Sequence, residues 1–149
     1  MSSIPSFPCC DRTKATGSGN VIIPCRKDAE ASGLFSINIS VAFDPLSDIF
    51  PTGNVFIHAD LSNSLRADFK STDIQLINSY GLHTPTICIA GRCTCSDPRA
   101  KGLHYWLLVA TIPNSVDSDI VSFLIKDNNN QRVAYGTGSL IGNIAVAPH

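Results

Sequence analysis

The chain has 149 residues, the size of a single domain that buries roughly two-thirds of its unfolded surface. Apolar residues make up 44% and charged residues 15%, well under the usual charged share of about 25%, which excludes an acid-rich or disordered chain. The formal net charge is −1 and the basic residues are scattered, so neither nucleic acid nor an anionic membrane surface is an expected partner.

The longest apolar stretch, residues 105–110, falls far short of the ~20 residues of a membrane-spanning helix, so no membrane span is expected. Residues 1–8 show neither the basic start nor the apolar run of a secretory signal. Two settings fit this, a cytoplasmic protein and a mature extracellular domain with an initiator Met, and the extracellular one is slightly favoured.

In chain order, residues 1–19 read as an extended arm. Pro5 and Pro8 forbid regular pairing around them, and Gly17, Ser18 and Gly19 form a flexible joint. Residues 20–23 predict a short edge strand ended by Pro24, and residues 26–32 a single helical turn closed by Gly33. Residues 34–43 then alternate without a break. Phe35, Ile37, Ile39, Val41 and Phe43 share one face; Ser36, Asn38, Ser40 and Ala42 share the other. Successive strand side chains point to opposite sides, so this is a strand with one buried face.

Asp44-Pro45 and Pro51-Thr52-Gly53 bracket a loop containing Asp48. Residues 54–61 resume the alternation, with Val55, Ile57, Ala59 and Leu61 facing away from Phe56, His58 and Asp60. After a turn at residues 62–64, Leu65, Ala67 and Phe69 continue the period of two. Residues 74–78, 86–90 and 103–112 predict further strands, the last stopped by Pro113 and Asn114, and both of its faces read as buried. Residues 120–126 and 132–135 flank Asp127-Asn128-Asn129-Asn130, a hairpin signal because Asn and Asp tolerate left-handed turn conformations. Residues 139–146 give a closing strand.

About eight or nine short strands with almost no helix predict an all-β fold, either an antiparallel β-sandwich (immunoglobulin-like or jelly-roll-like) or a small barrel. The expected organisation is an arm over residues 1–19 and one β domain over residues 20–149.

Six cysteines fall into two groups of three, Cys9, Cys10 and Cys25, then Cys88, Cys93 and Cys95. If all six paired internally, the odd number in each group would require a bridge from the arm to the centre of the chain. Such a bridge would contribute about 4 kcal/mol in the chain-entropy model. Fifteen pairings are open, and reduced, packed thiols are the alternative. A zinc site from His83, Cys88, Cys93, Cys95 and His104 is a weaker reading, because the spacing lacks paired Cys-x2-Cys knuckles. Calcium is another, through Asp44 with Asp48, Asp117 with Asp119, or Asp127 with its asparagines. No resident cofactor is otherwise expected. Asn38-Ile39-Ser40 matches a glycosylation acceptor.

Candidate catalytic groups are few. His58 and Asp60 share a strand face and offer an acid–base pair, against the plain alternative of a solvated outer face. Cys88 with His104 has no signature of a cysteine nucleophile around it. Gly136-Thr137-Gly138 precedes a strand and reads as a turn, not a phosphate loop. Trp106 suits ligand stacking or core packing, and Phe56 stands among polar neighbours as an interface candidate. The residues therefore favour a non-enzymatic binding, recognition or self-assembly module. Its expected partner is a protein, a carbohydrate or a second copy, with Phe56, His58, Asp60 and Trp106 as candidate contacts. The alternative is a small isomerase, cyclase or hydrolase built on His58 and Asp60 or on a cysteine.

Overall fold

A computed structural model describes residues 13–23, 33–61, 66–80, 86–110 and 119–148. Eight strands carry the chain: β1 (Thr13–Ile23), β2 (Gly33–Phe43), β3 (Thr52–Leu61), β4 (Arg66–Tyr80), β5 (Thr86–Cys95), β6 (Leu103–Ala110), β7 (Ile120–Lys126) and β8 (Arg132–Pro148). Each pairs antiparallel with the next, and β8 returns to pair with β1, so the sheet closes into a barrel with strands in sequence order. Of the two expected architectures the barrel forms. Closure gives every strand a partner on both sides, although among the described residues β3 and β4 pair only between Phe56–Asp60 and Arg66–Lys70.

The seam between β1 and β8 corrects the reading of the N-terminal region. Thr13 pairs with Pro148 and Gly19 with Gly142, so residues 13–19 of the expected arm join the strand expected at 20–23 in one strand of the barrel. Gly17 and Gly19 hid it, because they occupy inward positions where apolar residues would have shown the alternation. Gly17 has φ +151°, and a Cβ there would sit 2.1 Å from the Asn143 carbonyl oxygen. The close approach of the two strands therefore requires glycine. Residues 1–12, the turn expected over 26–32, and the turn at 62–64 lie outside the described residues.

β4 is one strand where the sequence predicted two. Register shifts at Ser71/Asp73 and Ile74/Leu76 interrupt the period of two without ending the pairing to β5. Such bulges bend a strand, which suits the curvature of a closed sheet. The β7–β8 hairpin forms where its turn residues predicted it, with Asn130 at φ 62° and Asp127 Oδ1 accepting hydrogen bonds from the Asn129 and Gln131 amides at 2.9 Å.

Inward side chains from all eight strands make one contiguous apolar cluster. An eight-stranded barrel is just wide enough for its own side chains to fill or to hold one small ligand. Here the rings of Phe35 on β2 and Phe123 on β7 meet inside, centroids 4.6 Å apart at 61°. These strands are separated by β1 and β8 in the ring, so the pair bridges the interior. Fully burying each large apolar side chain contributes roughly 1.5–3 kcal/mol.

The two ends of the barrel differ. Thr13, Phe43 and Pro148 are paired neighbours, which places the β2–β3 loop at the end where β1 starts and β8 finishes. The 96–102 loop and the β7–β8 turn lie at the other end. Among the described residues, no helix is long and apolar enough to cross a membrane.

Candidate functional site

Because the inside takes every second residue, the chemistry available to partners sits on the outward residues. On β6, Leu103, Tyr105, Leu107 and Val109 point inward and are buried, while Trp106 and Leu108 point outward and are 43% and 38% exposed. The expectation that both faces of this strand are buried is thus corrected: a closed barrel has only one inside.

Register assembles the outward residues into rows. Ala90, Trp106, Leu124 and Tyr135 lie side by side across β5, β6, β7 and β8, and Leu76 on β4 continues the row beyond Ala90. Tyr135 is 60% exposed and Leu76 is also exposed. The next row on one side is Cys88, Leu108, Ser122 and Thr137, where Ser122 Oγ and Thr137 Oγ1 are hydrogen-bonded at 2.9 Å.

The next row on the other side is Arg92, His104, Lys126 and Arg132. Arg92 is held by Asp73, with Nε donating at 2.8 Å and a second guanidinium nitrogen 2.6 Å away. Burial opposes ionisation of Asp73, yet hydrogen bonds from the Arg92 amide and guanidinium, with the positive charges of Arg92 and His104, hold its pKa below the usual value. Lys126 Nζ donates to Asn130 Oδ1 at 3.1 Å, and the Arg132 guanidinium lies 5.2 Å from the Tyr135 ring centroid, a cation–π contact. The segments of β5, β6, β7 and β8 contain no Asp or Glu. This wall is therefore an apolar stripe with aromatic members, bordered by Lys126, Arg132 and the Arg92–Asp73 ion pair.

Phe56 and His58 are not on that wall. They face outward from β3, across from Asn38 and Ser36 on β2, on a side whose outward residues include Lys14, Thr16, Ser18, Asn20, Ser40, Ala42, Thr52 and Asn54. Phe56 is exposed, as its polar neighbours predicted. The structure thus separates Phe56 and His58 from Trp106, and the four expected contact residues do not form one surface.

The partner of His58 also differs from expectation. Asp68 on β4 stands directly across from it, and His58 Nδ1 contacts Asp68 Oδ1. Asp60 lies two residues along β3, in register with Arg66. A residue directly opposite is 4.5–5.5 Å away, whereas two residues along a strand is nearly 7 Å. A row Asn20, Ser36, His58, Asp68 results. Ser36 Oγ donates to Asn20 Oδ1 at 2.9 Å, and the pair of His58 and Asp68 is half-exposed. Chemically, the carboxylate on Nδ1 leaves Nε2 to exchange a proton, while the hydroxyl beside it is turned to an amide.

The cysteines divide by face. Cys93 points inward and is buried, whereas Cys88 and His104 are paired with the outward Leu108 and Arg92. Cys88 and His104 cannot join Cys93 at one ion, which removes the zinc reading built on Cys88, Cys93, Cys95 and His104. No group of three or more metal-ligating side chains occurs among the described residues. Cys88, Cys93 and Cys95 carry free thiols. Burial, and then the neighbouring Cys95, push the Cys93 thiol up to about 12; burial also raises Cys88. Cys9, Cys10, Cys25 and His83 lie outside the described residues, but the free thiols of Cys88, Cys93 and Cys95 mean that the expected bridge from the arm to the centre of the chain is not formed.

The aspartates considered for calcium instead hold turns. Asp48 Oδ2 accepts from the Asp44 amide at 2.9 Å, Asp44 Oδ1 from the Leu46 amide at 3.0 Å, and Asp127 holds the hairpin. Asp117 lies outside the described residues.

Two features escaped sequence reasoning. The cationic row comes from residues far apart in the chain, although the hairpin signal already implied that Lys126 and Arg132 are neighbours. The β2–β3 loop projects Leu46, Ile49 and Phe50, which are 93%, 86% and 69% exposed. Three large apolar residues between Pro45 and Pro51 were the available signal. No protein family, curated protein or solved structure matches the chain.

Proposed function

We propose that the protein is a non-enzymatic binding module that engages a protein partner through the outer wall of β5–β8. The observation that carries this reading is the row Ala90, Trp106, Leu124 and Tyr135, an apolar stripe on the outside of a barrel whose opposite wall is polar. Aromatic residues with arginine at the margin and no carboxylate within the patch are the composition of protein contact surfaces. The interior supports the same reading, since the ring pair of Phe35 and Phe123 occupies space that a small-molecule ligand would need.

Hydroxyl-radical footprinting tests it, comparing the protein in the extract of its producing cells with the purified dilute protein. Trp106 and Tyr135 are expected to be protected in the extract, with Phe56 unchanged. Equal labelling of Trp106 and Tyr135 in both samples would overturn the reading.

A second reading rests on the contact of His58 with Asp68 and the adjacent Ser36 hydroxyl, and makes the β2–β4 wall a hydrolytic site. It requires turnover of an activated ester such as 4-nitrophenyl acetate that disappears in His58→Ala and in Ser36→Ala. The hydrogen bond of Ser36 to Asn20 and the open, half-exposed setting of the pair weigh against it.

A further inference from the structure

We infer that the partner seated on the β5–β8 wall is the β2–β3 loop of a second copy of this chain, joined head to tail. This rests on the reading of that wall as a protein contact surface and names its occupant.

The loop is built for contact. Its apolar side chains Leu46, Ile49 and Phe50 project into solvent, while its backbone is tied down. The Ser47 and Asp48 amides donate to the Asp44 carbonyl at 3.1 and 2.7 Å, and the two aspartates accept the further bonds described above. At the loop's exit Gly53 has φ +123°, and a Cβ there would lie 1.9 Å from the Ser40 carbonyl oxygen. A loop already fixed in shape loses little conformational freedom on docking.

Charge selects the wall as its receptor. Residues 44–51 contain Asp44 and Asp48 and no cation; at the margin of the wall Arg92 is neutralised by Asp73, which leaves Lys126 and Arg132 as its positive charges. Each surface is apolar at its centre, and the acidic loop meets net positive charge from Lys126 and Arg132 at the wall's margin, which favours this pairing over loop–loop or wall–wall contact. The aspartates likewise disfavour an anionic membrane as the loop's target.

Position forbids the contact within one molecule. In a ring of eight strands, β2 and β3 lie across from β6 and β7, so a barrel's loop and its own receptor wall face opposite ways. The contact is therefore heterologous, each copy offering a loop to one neighbour and a wall to another, which generates rings or open chains.

Sedimentation velocity on four samples tests this. The purified protein is expected to form oligomers that grow with concentration and dissociate with added salt. The loop variant Ile49→Asp/Phe50→Asp and the wall variant Trp106→Asp/Tyr135→Asp are each expected to sediment as monomers, with association weakened at least a hundredfold. Mixed together, they should form one-to-one dimers and nothing larger, because each restores the half the other lacks. All four replaced side chains are exposed, and unchanged thermal unfolding confirms the fold; should the wall variant unfold, Lys126→Glu/Arg132→Glu takes its place with at least a tenfold loss.

A purified protein that stays monomeric would overturn the inference, as would a loop variant that still oligomerises, or a mixture that forms no dimer. Loop-dependent sedimentation with phosphatidylserine vesicles in place of self-association would also overturn it. If Trp106 stays protected in cell extract while the purified protein is monomeric, the inference fails and the wall remains a surface for a different protein. If the footprint is absent as well, both fail.

Discussion

The walls of β1–β3 and β5–β8 close the same interior with the same alternation, yet they present different chemistry to solvent. Among the described side chains, Lys14, Thr16, Ser18, Asn20, Ser36, Asn38, Ser40, Thr52, Asn54 and His58 stand outward from β1–β3, with Ala42 and Phe56 as the apolar members. Outward from β5–β8 an apolar row of Ala90, Trp106, Leu124 and Tyr135, together with Leu108 and Ile141, stands among polar residues such as Thr94, Ser122, Thr137 and Asn143, with Arg92, Lys126 and Arg132 at one margin. Folding constrains only the inward half of each strand. The outward half is free to differ, and the apolar row on one wall is the basis of the contact surface proposed above.

The comparison first requires that the two sides be equal within. Ile39 on β2 and Leu107 on β6 are both 1% exposed, so each change to Ala should cost roughly 2–5 kcal/mol. Ser40→Ala, one residue along and facing outward, should cost well under 1 kcal/mol. Urea unfolding checks all three. A cost for Leu107→Ala far below that for Ile39→Ala would break the symmetry of the interior and mean that the β5–β8 side is loosely packed.

Alkaline pH should then separate the two sides. Beneath β5 and β6 lie the buried Cys93, whose thiol stands at about 12, and Tyr105, which burial and then the neighbouring Cys93 and Asp73 push up as well. The described inward residues of β1–β3 include no titratable group. A group whose folded pKa is raised stabilises fully below its unfolded pKa, and that stability is lost as pH rises toward the folded value. Stability should therefore hold to about pH 9, the ordinary thiol value, and fall between there and about 12. Cys93→Ala should flatten the fall, leaving the part due to Cys88 and Tyr105. Hydrogen exchange should show β5 and β6 opening first; opening that starts in β1 or β2 would contradict the assignment.

How much of this was legible depends on distance along the chain. The β2 strand was fully readable, because its burial pattern is a property of consecutive residues. β1 was read as an arm because glycine at Gly17 and Gly19 has no side chain to mark an inward position. β4 was split because two bulges shift the phase of its alternation. The β5–β8 wall was invisible for a different reason: Trp106, Leu124 and Tyr135 become neighbours only once three register relations are fixed. Trp106 was noticed as a ligand candidate on its own, without the row that gives it meaning. The same limit hides the contact of His58 with Asp68. Within one strand Asp60 was the nearest visible acid, whereas pairing placed Asp68 closer.

The smallest expected effect concerns that histidine, and it sharpens the contrast from the polar side. His58 and Asp68 are about two-fifths and one-half exposed, so water solvates both groups when the contact is lost, and exposed pairs of this kind contribute about 0–1 kcal/mol. His58→Ala should shift unfolding by less than 1 kcal/mol, and Asp68→Asn by no more. Neither change should alter oligomer size, since both lie on the wall away from the apolar stripe. Asp68 is also tied to the 96–102 loop, its amide donating to Ser96 Oγ at 2.9 Å and its carbonyl accepting from the Ser96 amide at 2.9 Å. Both bonds use the backbone, so they survive in Asp68→Asn and hold the strand in place. Urea unfolding and sedimentation of the two variants decide the matter together. A loss of several kcal/mol would mean that the β3–β4 surface is covered in solution, and a loss of oligomers would move the contact surface to the wall that this comparison sets aside as solvated.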